Sequence, residues 1–305
     1  MREPVQILAT GLLFPEGPVA NADGSLFVSE IRGGTVRRIG IDGSVAVLAD
    51  CKGGPNGAAT GPDGALYVCN NGGNFYPPDH YAPAGPAADY VGGSIQRIDV
   101  NTGVVETLYT HCDGRRISSP NDLVFDASGG MYITDSGKKF ARHRDHGSLY
   151  YAQPDGSRIE EVAFPISAAN GVGLSPDGGL LYVAETESGR LWSFDVVGPG
   201  QLHKQPYPSP HGGRLVCSLP GYQRPDSLAV EANGNVCVAT LVSGVVAVIS
   251  PSGEIVRTVS FDDPYVTNLC FGGPDMKTAF VTLSSTGQLV SMPWAETGLK
   301  LNFSA

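Results

Sequence analysis

The 305-residue chain carries 41 glycines and a net charge of −10, with 41% apolar and only 16% charged residues. Such a composition spends residues on turns and half-buried strands, and it excludes collagen, coiled coils and disorder. The acidity argues against nucleic acid, whose phosphates need a basic surface. No apolar run approaches the roughly 20 residues of a membrane-spanning helix, so no membrane partner is expected.

The opening residues, Met1, Arg2, Glu3 and Pro4, carry charge and proline rather than the apolar stretch of a signal peptide. The six cysteines (Cys51, Cys69, Cys112, Cys217, Cys237 and Cys270) form no C-x-x-C pair. Together these features predict a cytoplasmic protein with free thiols. A Cys51–Cys69 bridge is the alternative.

One phrase recurs along the chain. An oxygen-bearing residue opens an apolar alternation, a glycine turn follows, and a second alternation closes the phrase. In chain order the copies run over 16–30, 56–69, 121–135, 170–185, 226–238 and 268–282, at intervals of about 50 residues. Their turns include Asp23-Gly24, Asp63-Gly64, Ser128-Gly129, Asp177-Gly178 and Asn233-Gly234, all hairpin signals. A second hairpin follows most copies, turning at Gly43, Gly103, Gly156 and Gly253. Four short antiparallel strands per unit, six times over, predict an all-β fold. The expected form is a six-bladed β-propeller with four-stranded antiparallel blades around a central channel, a single domain over residues 1–305. A strand over 5–10 beside 288–292 would close the ring. Two packed sandwiches, the rival fold, would not explain a single regular phrase.

If the first strand of each blade lines the channel, its opening residue stands at one rim. The openers are Glu16, Asn56, Asn121, Asn170, Asp226 and Asn268, and each carries a side-chain oxygen. Proline precedes four of them, Glu16, Asn56, Asn121 and Asp226, and stiffens the approach. Local capping explains any one such residue; six that converge point to a cation site. Carboxylates beside amide oxygens suit Ca²⁺, Mg²⁺ or Mn²⁺.

Two long connections should return to the same rim. The 71–93 loop holds Tyr76 among other aromatics, and the 136–147 loop holds Lys138, Lys139, Arg142, His143, Arg144 and His146. Aromatic side chains could wall a pocket, and a basic loop in an acidic protein suits a substrate bearing a carboxylate. His143 and His146 form an H-x-x-H pair, which on a loop reads more simply as solvated. Asp135 closes a second strand, where it would brace the rim loops or touch substrate. The 198–213 insertion, with His203 and His211, follows a third strand and should lie on the opposite face. No G-x-S-x-G, Walker or G-x-G-x-x-G motif stands in the required context, so a serine nucleophile, nucleotide binding and hydride transfer lose support.

The segments 14–18, 119–123, 169–172 and 224–228 resemble the signature segments of the senescence marker protein/gluconolactonase/luciferin-regenerating enzyme superfamily. The resemblance covers about residues 12–294. It implies a six-bladed propeller with one divalent cation in the channel, held by Glu16, Asn170 and Asp226, with Asn121 as fourth ligand or substrate contact. Calcium is the first expectation, with Mg²⁺, Mn²⁺, Zn²⁺ or Fe²⁺ as alternatives. Asn56 and Asn268 are not usual ligands there. The implied activity is metal-dependent opening of a small-molecule lactone, with a polarised carbonyl, an activated water and Asp226 as ligand and base. Tyr76, Asn121, Asp135 and His143 are the expected substrate contacts. Ser119 stands where sugar-lactone members often carry arginine, which weakens the case for a sugar acid. A non-catalytic binding propeller and an aryl-ester or phosphotriester hydrolase are the alternatives.

Overall fold

In the computed structural model, which describes residues 4–304, the regular structure is all β-strand and contains no helix. Six antiparallel sheets are arranged as a six-bladed propeller. Blade 1 runs outward through Pro15–Ala20, Leu26–Glu30, Thr35–Ile39 and Val45–Asp50. Blade 2 uses Pro55–Thr60, Leu66–Asn70, Ser94–Ile98 and Val105–Tyr109, and blade 3 uses Pro120–Phe125, Met131–Asp135, Gly147–Ala152 and Ile159–Ile166. Blade 4 begins with Ala169–Leu174, Leu180–Glu185 and Arg190–Gly198; its outer edge is shared by Gln201–His203 and Arg214–Ser218. Blade 5 comprises Arg224–Val230, Val236–Leu241, Val245–Ile249 and Ile255–Ser260.

Blade 6 joins the two ends of the chain. Val266–Gly272, Thr278–Leu283 and Gln288–Pro293 are completed by Gln6–Ala9, with Ile7 opposite Val290. This closure leaves no long unpaired edge at the seam. Side chains add stitches: Thr267 and Ser284 donate hydroxyl hydrogen bonds to the Pro15 carbonyl, at 3.1 and 2.6 Å.

The alternation read in the sequence becomes packing between blades. Each of six apolar clusters draws from two adjacent blades. Between blades 2 and 3, for example, Tyr67 meets Phe125 edge to face at 5.1 Å, beside Ile95, Ile133 and Met131. A fully buried side chain of this size contributes roughly 1.5–3 kcal/mol. The six innermost strands contact one another in a closed ring around the channel. All six cysteines are free thiols, so Cys51 and Cys69 are not bridged.

Candidate active site

Every inner strand breaks its ladder at the same place. The register shifts fall between Glu16 and Val19, Pro55 and Ala58, Pro120 and Leu123, Ala169 and Val172, Pro225 and Leu228, and Val266 and Asn268. A bulge re-aims the side chains beside it, and here it delivers the openers into the upper channel. Glu16, Asn56, Asn121, Asn170 and Asp226 together line one cavity at that end.

Glycine follows three of these openers because the bulged strands crowd one another. A Cβ on Gly57 would lie 2.2 Å from the Asp122 carboxylate, and one on Gly17, at φ +50°, would lie 2.3 Å from the Asn56 carbonyl. Asn268 needs correcting. By register, Thr267 occupies the opener position of blade 6, and Asn268 sits one residue deeper. There its amide donates to Glu16 Oε2 at 2.8 Å and its oxygen accepts from the Leu269 N–H. It supports Glu16 from below rather than lining the cavity.

The polar atoms of the cavity are incompletely satisfied. Asn56 Oδ1 and Asn121 Oδ1 are buried without a hydrogen-bond partner. Glu16 accepts from the Gly17 N–H and from Asn268, and Asp226 accepts from Asn170 Nδ2. Asn170 Nδ2 also reaches the Thr186 hydroxyl at 3.2 Å. Among the described residues, neither carboxylate forms an ion pair with a basic side chain. Burial, and then the Asp226 charge, pushes Glu16 well above the usual carboxylate range. Burial likewise raises Asp226, partly offset by Asn170 and by the Arg224 charge.

A third carboxylate, Asp122, lies just beneath. It is buried, accepts from the Leu123 N–H at 2.9 Å, and is pushed up to about 7 by desolvation. Strand alternation alone would set Asp122 on the face opposite Asn121. The bulge breaks that alternation.

Among the described residues no cluster of three His, Cys, Asp or Glu side chains could hold a metal. A cation here would therefore rest on amide oxygens beside two carboxylates. The unmet Asn56 and Asn121 oxygens, beside two buried carboxylates without an ion-pair partner among the described residues, fit such a hard-oxygen site.

The predicted substrate contacts separate. Tyr76 reaches the cavity and packs against Phe14 at 5.6 Å, and the Arg32 guanidinium lies 5.4 Å from its ring. Burial raises the Tyr76 phenol. Phe14 also meets Tyr265 edge to face at 6.2 Å, so three rings wall one side. Asp135 does not line the cavity. Both its oxygens are committed, Oδ1 to the N–H groups of Ser119 and Gly137 and Oδ2 to that of Ser118. The brace is a repeated device: Glu30 accepts from Leu13, Asn70 from Gly54 and Glu185 from Ser167 in the same way. His143 also lies outside the cavity. It is exposed and stacks on Phe140 at 4.4 Å, because the Lys139–Arg144 bridge turns the loop tip outward.

The loop sends other residues inward. Lys138 is buried, and its ammonium donates to the carbonyls of Asn71 and Gly73 and to Asn74 Oδ1 at 2.7–2.9 Å, tying the two rim loops together. Lys139, Arg144, Glu187 and Arg224 complete the lining. The 198–213 insertion contributes nothing to this cavity, and His211 is instead buried edge-on against Trp192 at 4.6 Å.

Comparison with known proteins shows the family of this chain. The family model described as the SMP-30/Gluconolactonase/LRE-like region matches residues 14–285. A lactonase drp35 of Staphylococcus haemolyticus is 30% identical over 241 residues, 78% of this chain and 66% of the relative. The chain thus spans about two thirds of that lactonase's length. A gluconolactonase of Zymomonas mobilis is 23% identical over 309 residues, covering 92% and 79%. The crystal structure of regucalcin from Agrobacterium tumefaciens, described as a calcium-binding protein, shares the fold. Its TM-score is 0.77 at 17% identity, with 100% of this chain and 98% of that one covered.

Proposed function

This chain belongs to the SMP-30/gluconolactonase/LRE-like family, and on that premise we propose that it is a divalent-cation-dependent hydrolase that opens a lactone ring. Relatives named lactonase and gluconolactonase support the reaction class. The observation that carries the reading is the pair of buried carboxylates, Glu16 and Asp226, facing unpartnered amide oxygens in one cavity. Glu16, Asp226, Asn170 and Asn121 would hold the cation. An amide serves a cation only through its oxygen, which for Asn170 now faces the Ser227 hydroxyl at 3.5 Å. Calcium is the ion we favour, because carboxylate and amide oxygens are its characteristic ligands. When bound, the cation supplies Lewis-acid polarisation of the lactone carbonyl and a lowered pKa for the attacking water.

The chain's own residues do the rest. Asp226 would take the proton released as water adds to the carbonyl carbon. The same proton then goes to the ring oxygen as the C–O bond breaks, giving a hydroxy acid. A carboxylate beside a cation is a weak base, so Asp226 works by position more than by basicity. Phe14, Tyr76 and Tyr265 shield one side from water, and Asn56 offers a further acceptor within the same cavity. Lys138 and Asp135 act as positioning residues, since one joins the rim loops and the other holds the segment leading to Asn121.

A panel of lactones, aryl esters and a phosphotriester, followed by proton release with and without chelator, tests this. Lactone opening should be abolished by chelator and restored by calcium. Asp226→Asn and Glu16→Gln should each cost about 100-fold or more, the scale of losing a preorganised electrostatic contact, in a protein that remains folded. Activity within tenfold of wild type in either variant would refute the mechanism.

A further inference from the structure

Above the carboxylates, three consecutive blades bring opposite charges together in a way the reaction described above does not use. Arg144 stands on the blade 3 loop, Glu187 just beyond the second strand of blade 4, and Arg224 at the start of blade 5. Glu187 Oε1 accepts from both guanidiniums, from Arg224 Nη2 at 2.7 Å and from Arg144 Nη1. Lys139 lines the same cavity, and although partial burial works to raise the Glu187 carboxyl, the two arginines hold it on balance below its usual range. Two guanidiniums thus share one carboxylate in a protein of net charge −10. Each arginine also keeps a buried Nε–H without an acceptor. An unpaired buried donor costs on the order of 1–3 kcal/mol; Arg257 also carries one in its pair with Glu231, but only Arg144 and Arg224 bring theirs to this cavity.

The group lines the same cavity as Glu16 and Asp226. Arg224 stands two residues before Asp226 on the same inner strand and lines the same cavity, which puts the arginine beside the reacting centre rather than at a remote rim. Glu187 already shows that the gap between the two guanidiniums accepts a carboxylate oxygen. Guanidinium forks match carboxylates by shape as well as charge.

We propose that Arg144 and Arg224 form a subsite for a carboxylate on the substrate, so that the favoured lactone carries an acidic side arm beside its ring. This rests on the lactone-hydrolase reading for the word substrate, but the subsite can be tested without hydrolysis. The probes are tetrahydrofuran-2-acetate, an inert cyclic ether with a carboxylate arm, and the corresponding acetamide. Both are titrated calorimetrically into the calcium-loaded full-length protein in a carboxylate-free buffer.

The acetate should bind about tenfold or more tightly than the acetamide, the scale of a charge-assisted hydrogen bond, and added salt should erode the preference. Arg144→Gln and Arg224→Gln should each collapse that preference toward unity, and Arg144→Lys should restore only part of it. Thermal unfolding identifies any variant that has lost its fold, and Arg144→Gln, on a loop, serves if Arg224→Gln fails. Equal affinity for both probes in the wild type, or an unchanged preference in a folded Arg144→Gln, overturns the proposal. A chain that shows the preference yet opens no lactone keeps the subsite and sinks the hydrolase. One that opens neutral lactones without the preference does the reverse.

Discussion

The two ends of the central channel are built from the same six strands and could hardly differ more. Above the bulges the lining is carboxylate and amide, with two amide oxygens left unpartnered and long loops tied over it. Below, past Asp122 and Asn268, the strands resume regular pairing and the lining turns to Ala58, Val124, Val172, Leu228 and Leu269, with Leu299 and Leu301 of the C-terminal segment closing the exit. Asn302 fastens that segment by donating to the Phe125 carbonyl at 2.9 Å. The lower half is what a stable ring requires. The upper half departs from those rules, and departures of this kind concentrate where a protein acts.

The largest effect that would sharpen this contrast is electrostatic. Glu16, Asp122 and Asp226 are all held above their ordinary range by burial. Between about pH 4 and pH 7 the folded, cation-free chain therefore binds protons that the unfolded chain has released. Stability contributed by these groups is greatest in acid and is lost as pH rises through that window. Differential scanning calorimetry in chelator should show the midpoint falling by about 5 °C or more between pH 5 and pH 7.5. Calcium should remove most of the fall. A chelated midpoint that rises over the same range would break the account of the mouth.

A smaller effect separates the rim from the base. Lys138→Met leaves three acceptors unmet and unties the rim loops. It should raise KM for an opened lactone about tenfold, in line with the loss of charge-assisted hydrogen bonds, with kcat nearly unchanged. Leu299→Ala at the other end should cost about 1–2 kcal/mol of stability and shift kcat/KM by less than about twofold. Steady-state kinetics beside denaturant unfolding checks both. If the base variant lost activity as steeply as the rim variant, the two ends would not be functionally distinct.

Much of this was legible before any coordinates. The repeat gave the six blades and the closure by the first strand, because hairpin turns and alternation are local signals. The openers Glu16, Asn56, Asn121, Asn170 and Asp226 were legible for the same reason, and the structure brings all five into one cavity. What failed depended on geometry that alternation does not encode. The bulge moved the blade 6 opener to Thr267 and turned Asp122 inward beside Asn121. On the basic loop, residue types alone could not say which side chains face in, so His143 points out while Lys138 and Arg144 line the site. Arg224 and Glu187 were missed because their meeting with Arg144 spans three blades. The one available signal was an arginine two residues before Asp226, the layer that sits directly over the openers.

The central claim is that oxygens from separate blades share one divalent ion. Calorimetric titration of chelator-treated protein with calcium tests it most directly. The account predicts a single site per chain, lost or severely weakened in Glu16→Gln and in Asp226→Asn. No calcium binding by the wild type, or undiminished binding by both variants, would contradict it.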